Sequence, residues 1–219
     1  CASVSSSHNC SAERQFRFPL EYGGQRTPTS QWTVTGSGAL IITSEKSDFS
    51  RLNCKSEYIP KVTDVLPGCA LDYGITDINN MGAAMAPAAA DTLMRYLKAS
   101  QTEPKDYDLI LSGDLGAEGA SILSDLLSEN GYDLSGVYRD CGLMIYDRET
   151  QDVHAGGSGC GCSASVFASE ILSRIRTGAV KNVLFMGTGA LMSPMSLQQG
   201  NAIPGIAHLV HIIAEKYLH

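Results

Sequence analysis

The residues of this sequence best suited to chemistry lie in the run AGGSGCGCSAS, at 155–165, directly before a stretch with helical spacing. Glycines let a ligand approach the main chain, and the free N–H groups at a helix start bind anions. A thiol at such a helix start is also expected to have a lowered pKa. We predict that Ser158, Gly159, Cys160 and Cys162 line a carboxylate-binding pocket. The alternative is that small residues are needed here for close packing of the helix on a sheet.

The same two cysteines make a poor metal site. One residue separates Cys160 from Cys162, and no second pair of ligands stands at a spacing typical of zinc sites. The seven cysteines of the chain are odd in number and scattered, unlike a secreted disulfide framework. We therefore predict reduced thiols, no bound metal and no cofactor.

Two polar residues elsewhere are further ligand candidates. Asp114, in SGDLGAEG, follows a run that reads as a buried strand, and an aspartate in that place suits either a ligand site or a helix N-cap. His8, in SSHN, stands beside a polar turn after a strand end. Its ring could donate to a ligand carboxylate or satisfy a neighbouring backbone group. We include both residues in the predicted ligand site.

The remaining histidines and two arginines have weaker cases. Arg14 and Arg17 lie in a long excursion, and their guanidinium groups suit a dicarboxylate as well as a surface loop. His208 and His211 lie three positions apart in a predicted strand, so they face opposite sides and cannot bind one ion together. His154 has no stronger argument in its favour.

The composition is that of a globular protein with a substantial core. Of 219 residues, 43% are hydrophobic and 18% are charged. A net charge of −7 argues against nucleic-acid binding, because nucleic-acid-binding proteins carry clustered Lys and Arg. No apolar run approaches the roughly 20 residues that a membrane span needs.

Strands and helices alternate along the chain. Strands are predicted in CASVSSSHN, TVTGSGALIIT, residues 54–72, residues 108–112, DCGLMIYD with VHAGG as its hairpin return, KNVLFMGTGA up to a glycine-rich turn, and PGIAHLVHIIAEKY. Helices are predicted over 81–99, with Pro87 marking the first regular turn, over 118–130, with Gly131 as C-cap, and over 163–178. This order predicts an α/β layer architecture with a mixed sheet.

One arrangement occurs twice. CASVSSSHN followed by TGSGALIIT is similar in order to VLFMGTGAL followed by PGIAHLVHIIA: a strand, a small-residue turn, an excursion and a glycine-led strand. We interpret the two as copies of one unit.

Several blocks together closely resemble the stage V sporulation protein AD family. They are SSHNCSAERQFRFPLEYGGQRTPTSQWTVTGSGALI, GITDINNMGAAMAPAAADT, DYDLILSGDLG, DCGLMIYD, AGGSGCGCSA and IPGIAHLV. The resemblance implies a thiolase-like fold, in which two related α/β halves stack mixed sheets and helices in layers. On this basis residues 1–52 are a truncated remnant of the first half with an excursion loop, and 53–219 are an essentially complete second half.

The resemblance also implies a function. It predicts a protein of spore formation that binds dipicolinic acid and supports its loading into the spore as the calcium chelate. Its partners would be membrane proteins of the same operon, and its place would be peripheral, on the cytosolic side of the forespore or spore inner membrane. We further expect a homodimer, because a truncated first half leaves apolar faces and strand edges uncovered.

The residues that catalyse acyl transfer in the wider superfamily are replaced here. The resemblance places Asp114 about where a ketoacyl synthase has a catalytic His. It places Gly187 and Thr188 where a thiolase has its second cysteine. A carboxylate cannot replace imidazole as a hydrogen-bond donor to an oxyanion unless it is protonated. We therefore predict binding rather than catalysis. Two alternatives stay open: a truncated paralogue that has lost the ligand, and a residual acyltransferase using Cys160 or Cys162.

Overall fold

A computed structural model of the chain describes residues 1–8, 27–44 and 56–217. The strands of this part are β1 (Ala2–Ser7), β2 (Trp32–Thr33), β3 (Gly36–Ile41), β4 (Tyr58–Leu66), β5 (Leu109–Ser112), β6 (Tyr138–Asp140), β7 (Gly157–Ser158), β8 (Asn182–Ala190) and β9 (Gly205–Lys216). The helices are α1 (Met81–Ser100), α2 (Gly116–Glu129), α3 (Cys141–Met144), α4 (Cys160–Val166), α5 (Leu172–Arg176) and α6 (Pro194–Gln198), with a 3₁₀ turn at Pro104–Asp106. A π-helical turn, Phe167–Ile171, joins α4 to α5.

A five-stranded mixed sheet forms the centre of the fold. Its order is β4-β9-β8-β5-β6, with β5 parallel to β6 and β8 and with β9 antiparallel to both of its neighbours. Alternate side chains of β5 point to opposite faces, so Ile110 packs with α1 and α2 while Leu111 packs with the helix formed by α4 and α5. Both side chains are fully buried. The predicted mixed α/β layer architecture is confirmed.

A two-stranded ribbon of β1 and β3, paired antiparallel, lies against the other side of α4. Its closest approach to the helix is at Gly38, where a Cβ would lie 2.2 Å from the carbonyl oxygen of Ala164. The layers therefore run from α1 and α2 through the five-stranded sheet and α4–α5 to the ribbon. In this arrangement α4 is enclosed between two sheets.

The two strand pairs that the sequence suggested as copies of one unit have the same antiparallel pairing. β1 pairs antiparallel with the glycine-led β3, and β8 pairs antiparallel with the glycine-led β9. This agrees with the interpretation of two related units. The division of the chain at residue 52 remains a prediction.

Most predicted elements are confirmed, but four features differ. The strand predicted in DCGLMIYD ends at Asp140, because the carboxylate of Asp140 accepts the N–H of Leu143 and thereby caps α3. VHAGG makes no hairpin return, since β7 pairs in parallel with β2. β8 continues through Gly187 and Gly189 to Ala190 rather than ending in a glycine-rich turn.

The position predicted for Pro87 was also wrong. α1 begins at Met81, where Asn80 Oδ1 accepts the N–H of Ala83 at 3.1 Å. This cap fixes the first turn, so Pro87 falls at the seventh residue of the helix and is buried there.

The predicted excursion with Arg14 and Arg17 lies largely outside the described residues. Among the helices that are described, none combines the length and apolarity that crossing a membrane requires.

Two glycines set the distance between α1 and α2. A Cβ on Gly82 would lie 2.4 Å from the carbonyl oxygen of Leu115, and a Cβ on Gly119 would lie 2.7 Å from the Cα of Gly82. The two helices can approach this closely only because neither residue has a side chain.

We expect Gly82→Ala to lower the free energy of unfolding by roughly 1–2 kcal/mol, because the overpacking exceeds the gain in helix propensity. Gly187→Ala is the matched control, since no heavy atom lies within 4 Å of its added Cβ. Urea denaturation measures both variants. A Gly82→Ala protein as stable as Gly187→Ala would show that the backbones do not meet here.

Candidate functional site

Asp114 lies where β5, β8 and the start of α4 converge. Its Oδ1 accepts a hydrogen bond from Thr188 Oγ1 at 2.9 Å. Its Oδ2 accepts from Ser158 Oγ at 3.1 Å and from the N–H of Gly159 at 3.0 Å. In return, the N–H of Asp114 donates to Thr188 Oγ1 at 3.1 Å. We call these four residues the Asp114 junction; it joins three segments that are far apart in the sequence.

A second carboxylate performs the capping role considered for Asp114. Asp140, at the end of β6, accepts from the N–H groups of Leu115 at 2.8 Å and Gly116 at 3.1 Å, at the start of α2. It also accepts from Ser112 Oγ at 2.6 Å. Burial raises the pKa of Asp140 to about 6, although these hydrogen bonds act in the opposite direction. The helix-cap interpretation of Asp114 is therefore corrected.

The local backbone requires glycine both at Gly159, directly before α4, and at Gly161, in its first turn. Gly159 has a φ of +107°, in the region that favours glycine. A Cβ on Gly161 would lie 2.3 Å from the carbonyl oxygen of Gly36. The N–H of Gly161 donates to Ser7 Oγ at 2.8 Å, and this hydroxyl donates to the carbonyl of Val34 at 2.6 Å.

Protein groups thus already accept the N–H groups of Gly159 and Gly161 at the start of α4. Asp114 takes the first and Ser7 takes the second. The anion that this helix start binds is therefore a side-chain carboxylate of the same chain, that of Asp114. The packing alternative accounts for the glycines, and the carboxylate pocket remains a prediction that needs other hydrogen-bond donors.

The two cysteines of this stretch have different environments. The Cys160 residue is exposed, and its carbonyl accepts from Ser5 Oγ at 2.6 Å. Cys162 is fully buried beside Cys141 in the core under α4. Burial raises the pKa of the Cys162 thiol, and the charges of Asp114 and Asp140 raise it further. The lowered thiol pKa expected of a helix start is therefore wrong for Cys162.

The predictions of reduced thiols and of no bound metal can be compared with the described residues only. Of the seven cysteines, the five that are described have free thiols: Cys1, Cys69, Cys141, Cys160 and Cys162. The described ranges contain no group of three or more His, Cys, Asp or Glu side chains that could hold a metal ion. Cys10 and Cys54 lie outside these ranges.

His8 lies on the ribbon side of α4. It lines an open cleft at the end of β1, which we call the His8 cleft, with Ser6, Ser7, Thr35, Gly36 and Ser37. Ser7 connects this cleft to the first turn of α4 through its bond with Gly161. The predicted site residues therefore lie around one helix start, with Asp114 bonded to it from one side and His8 next to Ser7 on the ribbon.

The remaining histidines are held in other parts of the fold. His154 bridges the carbonyl of Thr27, 2.7 Å from Nδ1, and the carboxylate of Asp152, 2.9 Å from Nε2. His208 Nδ1 accepts the N–H of Gly68 at 3.0 Å. His208 and His211 face opposite sides of β9, as their spacing predicts. A second surface cleft, between α2, β6 and α3, contains Arg139.

The functional residues that the sequence analysis missed are Asp140, Thr188 as a partner of Asp114, and Ser7. Asp140 did carry a signal, since aspartate is one of the residues preferred at a helix N-cap. Its inclusion in a predicted strand hid that signal. Thr188 and Ser7 gave none, because their partners lie 74 and 154 residues away.

The sheet order, the antiparallel β9 and the enclosed helix define a mixed α/β protein, and this architecture is consistent with a thiolase-like fold. The sequence model of one protein family, described as Stage V sporulation protein AD (SpoVAD), matches residues 1–213. The chain belongs to this family, which is a family of sporulation proteins.

A curated relative agrees with this assignment. The chain is 47% identical over 205 residues to stage V sporulation protein AD of Bacillus subtilis (strain 168). The matched region covers 94% of this chain and 57% of the relative, so the chain spans little more than half of the relative's length.

Removing the carboxylate of Asp114 should destabilise the fold. We expect Asp114→Ala to lower the free energy of unfolding by about 2–4 kcal/mol, because several donors lose their acceptor. Asp114→Asn should cost roughly 1 kcal/mol, since its amide can accept from Gly159 and donate to Thr188.

Asp125→Ala, at an exposed position of α2, is the control and should change stability by less than about 0.5 kcal/mol. Chemical denaturation measures all three variants. Equal losses for Asp114→Ala and Asp125→Ala would contradict the junction.

Proposed function

We propose that this chain belongs to a non-catalytic sporulation protein that binds dipicolinic acid and supports its loading into the spore as the calcium chelate. The observation that carries the proposal is membership of the stage V sporulation protein AD family. Calcium accompanies the ligand as cargo, and the protein contributes the groups that hold the carboxylates.

The His8 cleft is the part of the described chain best suited to such a ligand. Its lining offers the His8 ring together with hydroxyl groups, and Thr35 and Ser37 are exposed. These groups can donate hydrogen bonds to carboxylate oxygens. The six described residues that line the cleft include no Asp or Glu, so none of these six repels a dianion.

The geometry around α4 supports binding in place of acyl transfer. Transfer through a covalent intermediate needs a nucleophile that an adjacent base or a lowered pKa activates. The Cys162 thiol has a raised pKa and is buried. Asp114, which stands about where the resemblance places a catalytic His, directs both carboxylate oxygens to protein donors.

Titration calorimetry with dipicolinic acid tests the proposal. We expect saturable heat for the unaltered chain and an affinity about tenfold lower for His8→Gln, because a hydrogen bond to a charged carboxylate is lost. His208→Gln is the matched control, since it makes the same change at an exposed histidine of β9. Arg139→Gln examines the second cleft.

The possible results distinguish a failure of the proposed ligand binding from a wrong choice of binding site. Absence of saturable heat would overturn ligand binding by this chain and favour the truncated paralogue. Binding that is weakened by Arg139→Gln but not by His8→Gln would keep the function and overturn the His8 cleft as its site.

The proposal includes a homodimer and association with membrane proteins of the same sporulation operon. Supporting self-association, Val4 and Ile41 on the outer face of the ribbon are 68% and 73% exposed. Light scattering should give about twice the 23.3 kDa mass of one chain. A monomer at high concentration would remove the dimer from the proposal without affecting ligand binding.

A further inference from the structure

A cluster of polar side chains surrounds His211 at the edge of the five-stranded sheet, away from α4. Nδ1 of His211 lies 3.0 Å from Asp64 Oδ2, 2.9 Å from Thr63 Oγ1 and 2.9 Å from the Tyr96 hydroxyl. Nε2 lies against Asn182 Oδ1. The imidazole thus contacts β4, α1 and β8 from its own place on β9.

The proton on Nε2 is fixed by Asn182. The Nδ2 group of Asn182 donates to the carbonyl of Asp106 at 2.8 Å, which sets the orientation of the amide. Its Oδ1 must therefore accept, so Nε2 of His211 carries a hydrogen in either protonation state. Only Nδ1 is left to change when the ring gains or loses a proton.

The protonation of Nδ1 decides which neighbour it can bond. In the imidazolium form Nδ1–H donates to the Asp64 carboxylate. In the neutral form Nδ1 has a lone pair and can accept from the hydroxyl of Tyr96 or Thr63, but a carboxylate has no hydrogen to offer it. While Asp64 is a carboxylate, the Asp64–His211 bond therefore exists only when Nδ1 carries a proton.

The local path of β4 brings Asp64 to this position. β4 is an edge strand, paired only with β9 within the described sheet, and its register shifts between Val62 and Asp64. The irregularity at Thr63 lets two consecutive residues of β4 reach the same ring nitrogen. In addition to the backbone hydrogen bonds between the two strands, the Asp64–His211 contact links the middle of β4 to β9.

We propose that His211 and Asp64 form a proton-dependent clasp that holds the edge strand β4 onto the sheet. The clasp is closed when His211 is imidazolium and Asp64 is carboxylate, and it opens when His211 loses its Nδ1 proton. An open clasp frees β4 at its irregularity and makes the sheet edge more accessible.

The charged and titratable groups around the ring are consistent with this assignment. From α1, the Tyr96 hydroxyl is the contact, and burial raises the pKa of Tyr96, so it stays neutral. Tyr107 meets the ring edge-on, with 5.6 Å between centroids. Asp108, directly before β5, accepts the N–H groups of Lys181 and Asn182, at the start of β8, with its Oδ2.

The remaining charges near the clasp belong to β4 and β9. Lys61 pairs with Glu215 at 3.1 Å, so this cation is already matched. Hydrogen bonding to His211 is the largest of the effects that hold the pKa of Asp64 below its usual range. The bond therefore stabilises the fold above the usual titration range of Asp64 and is lost as pH falls through the lowered pKa of Asp64; it is also lost when Nδ1 of His211 carries no proton.

Hydrogen exchange of the amides at 63–65 in the full chain tests the clasp. After correction for intrinsic rates, we expect exchange to be roughly two- to fivefold slower near about pH 6 than near about pH 8, because the pair is partly exposed. In Asp64→Asn the ratio should be close to one, since an amide can pair with Nδ1 whether or not Nδ1 carries a proton. His208→Gln should keep the ratio of the unaltered chain.

Nitrogen NMR of the His211 ring supplies a second readout that does not depend on strand opening. Protonation of Nδ1 within the same pH range, with Nε2 protonated throughout, is the expected result. An Nδ1 that stays unprotonated near about pH 6, or an Asp64→Asn exchange ratio equal to that of the unaltered chain, would overturn the clasp.

Discussion

Carboxylates at the carboxyl ends of two neighbouring parallel strands hold the centre of this protein together. Asp114 follows β5 and Asp140 ends β6, and the two strands pair directly. A carboxylate removed from water is costly unless hydrogen bonds compensate it. Asp140, with 1% of its surface exposed, accepts from Ser112 and from two N–H groups of α2. The starts of α2 and α4 thus both donate N–H groups to carboxylates of the chain itself.

This arrangement has a consequence for ligand binding. A helix start enclosed between a sheet and a ribbon would ordinarily offer its N–H groups to an incoming anion. In this chain Asp114 and Ser7 use the N–H groups of Gly159 and Gly161. Beyond Ser7, the His8 cleft is lined by the exposed residues His8, Thr35 and Ser37. For this reason we proposed the His8 cleft, and not the start of α4, as the ligand site.

More of the fold than of the candidate site could be predicted from the sequence. The helix α1, the buried β5 and the long β9 follow from local periodicity, which is visible in a single chain. The place of Pro87 and the structure of DCGLMIYD were predicted wrongly because a capping side chain decides each case: Asn80 sets the start of α1, and Asp140 ends β6 by capping α3. A cap is a three-dimensional hydrogen bond, and residue types alone indicate it only weakly.

By itself, the sequence determined the mixed α/β class, the small residues before α4 and the resemblance to a sporulation family. These follow from propensity, spacing and shared blocks of residues, all of which are properties of neighbouring positions. Only the tertiary structure decided what Asp114 contacts, since its partners Ser158 and Thr188 lie 44 and 74 residues away. The partners of His211 were decided in the same way, because a strand irregularity and a fixed amide orientation appear only when the strands have been paired.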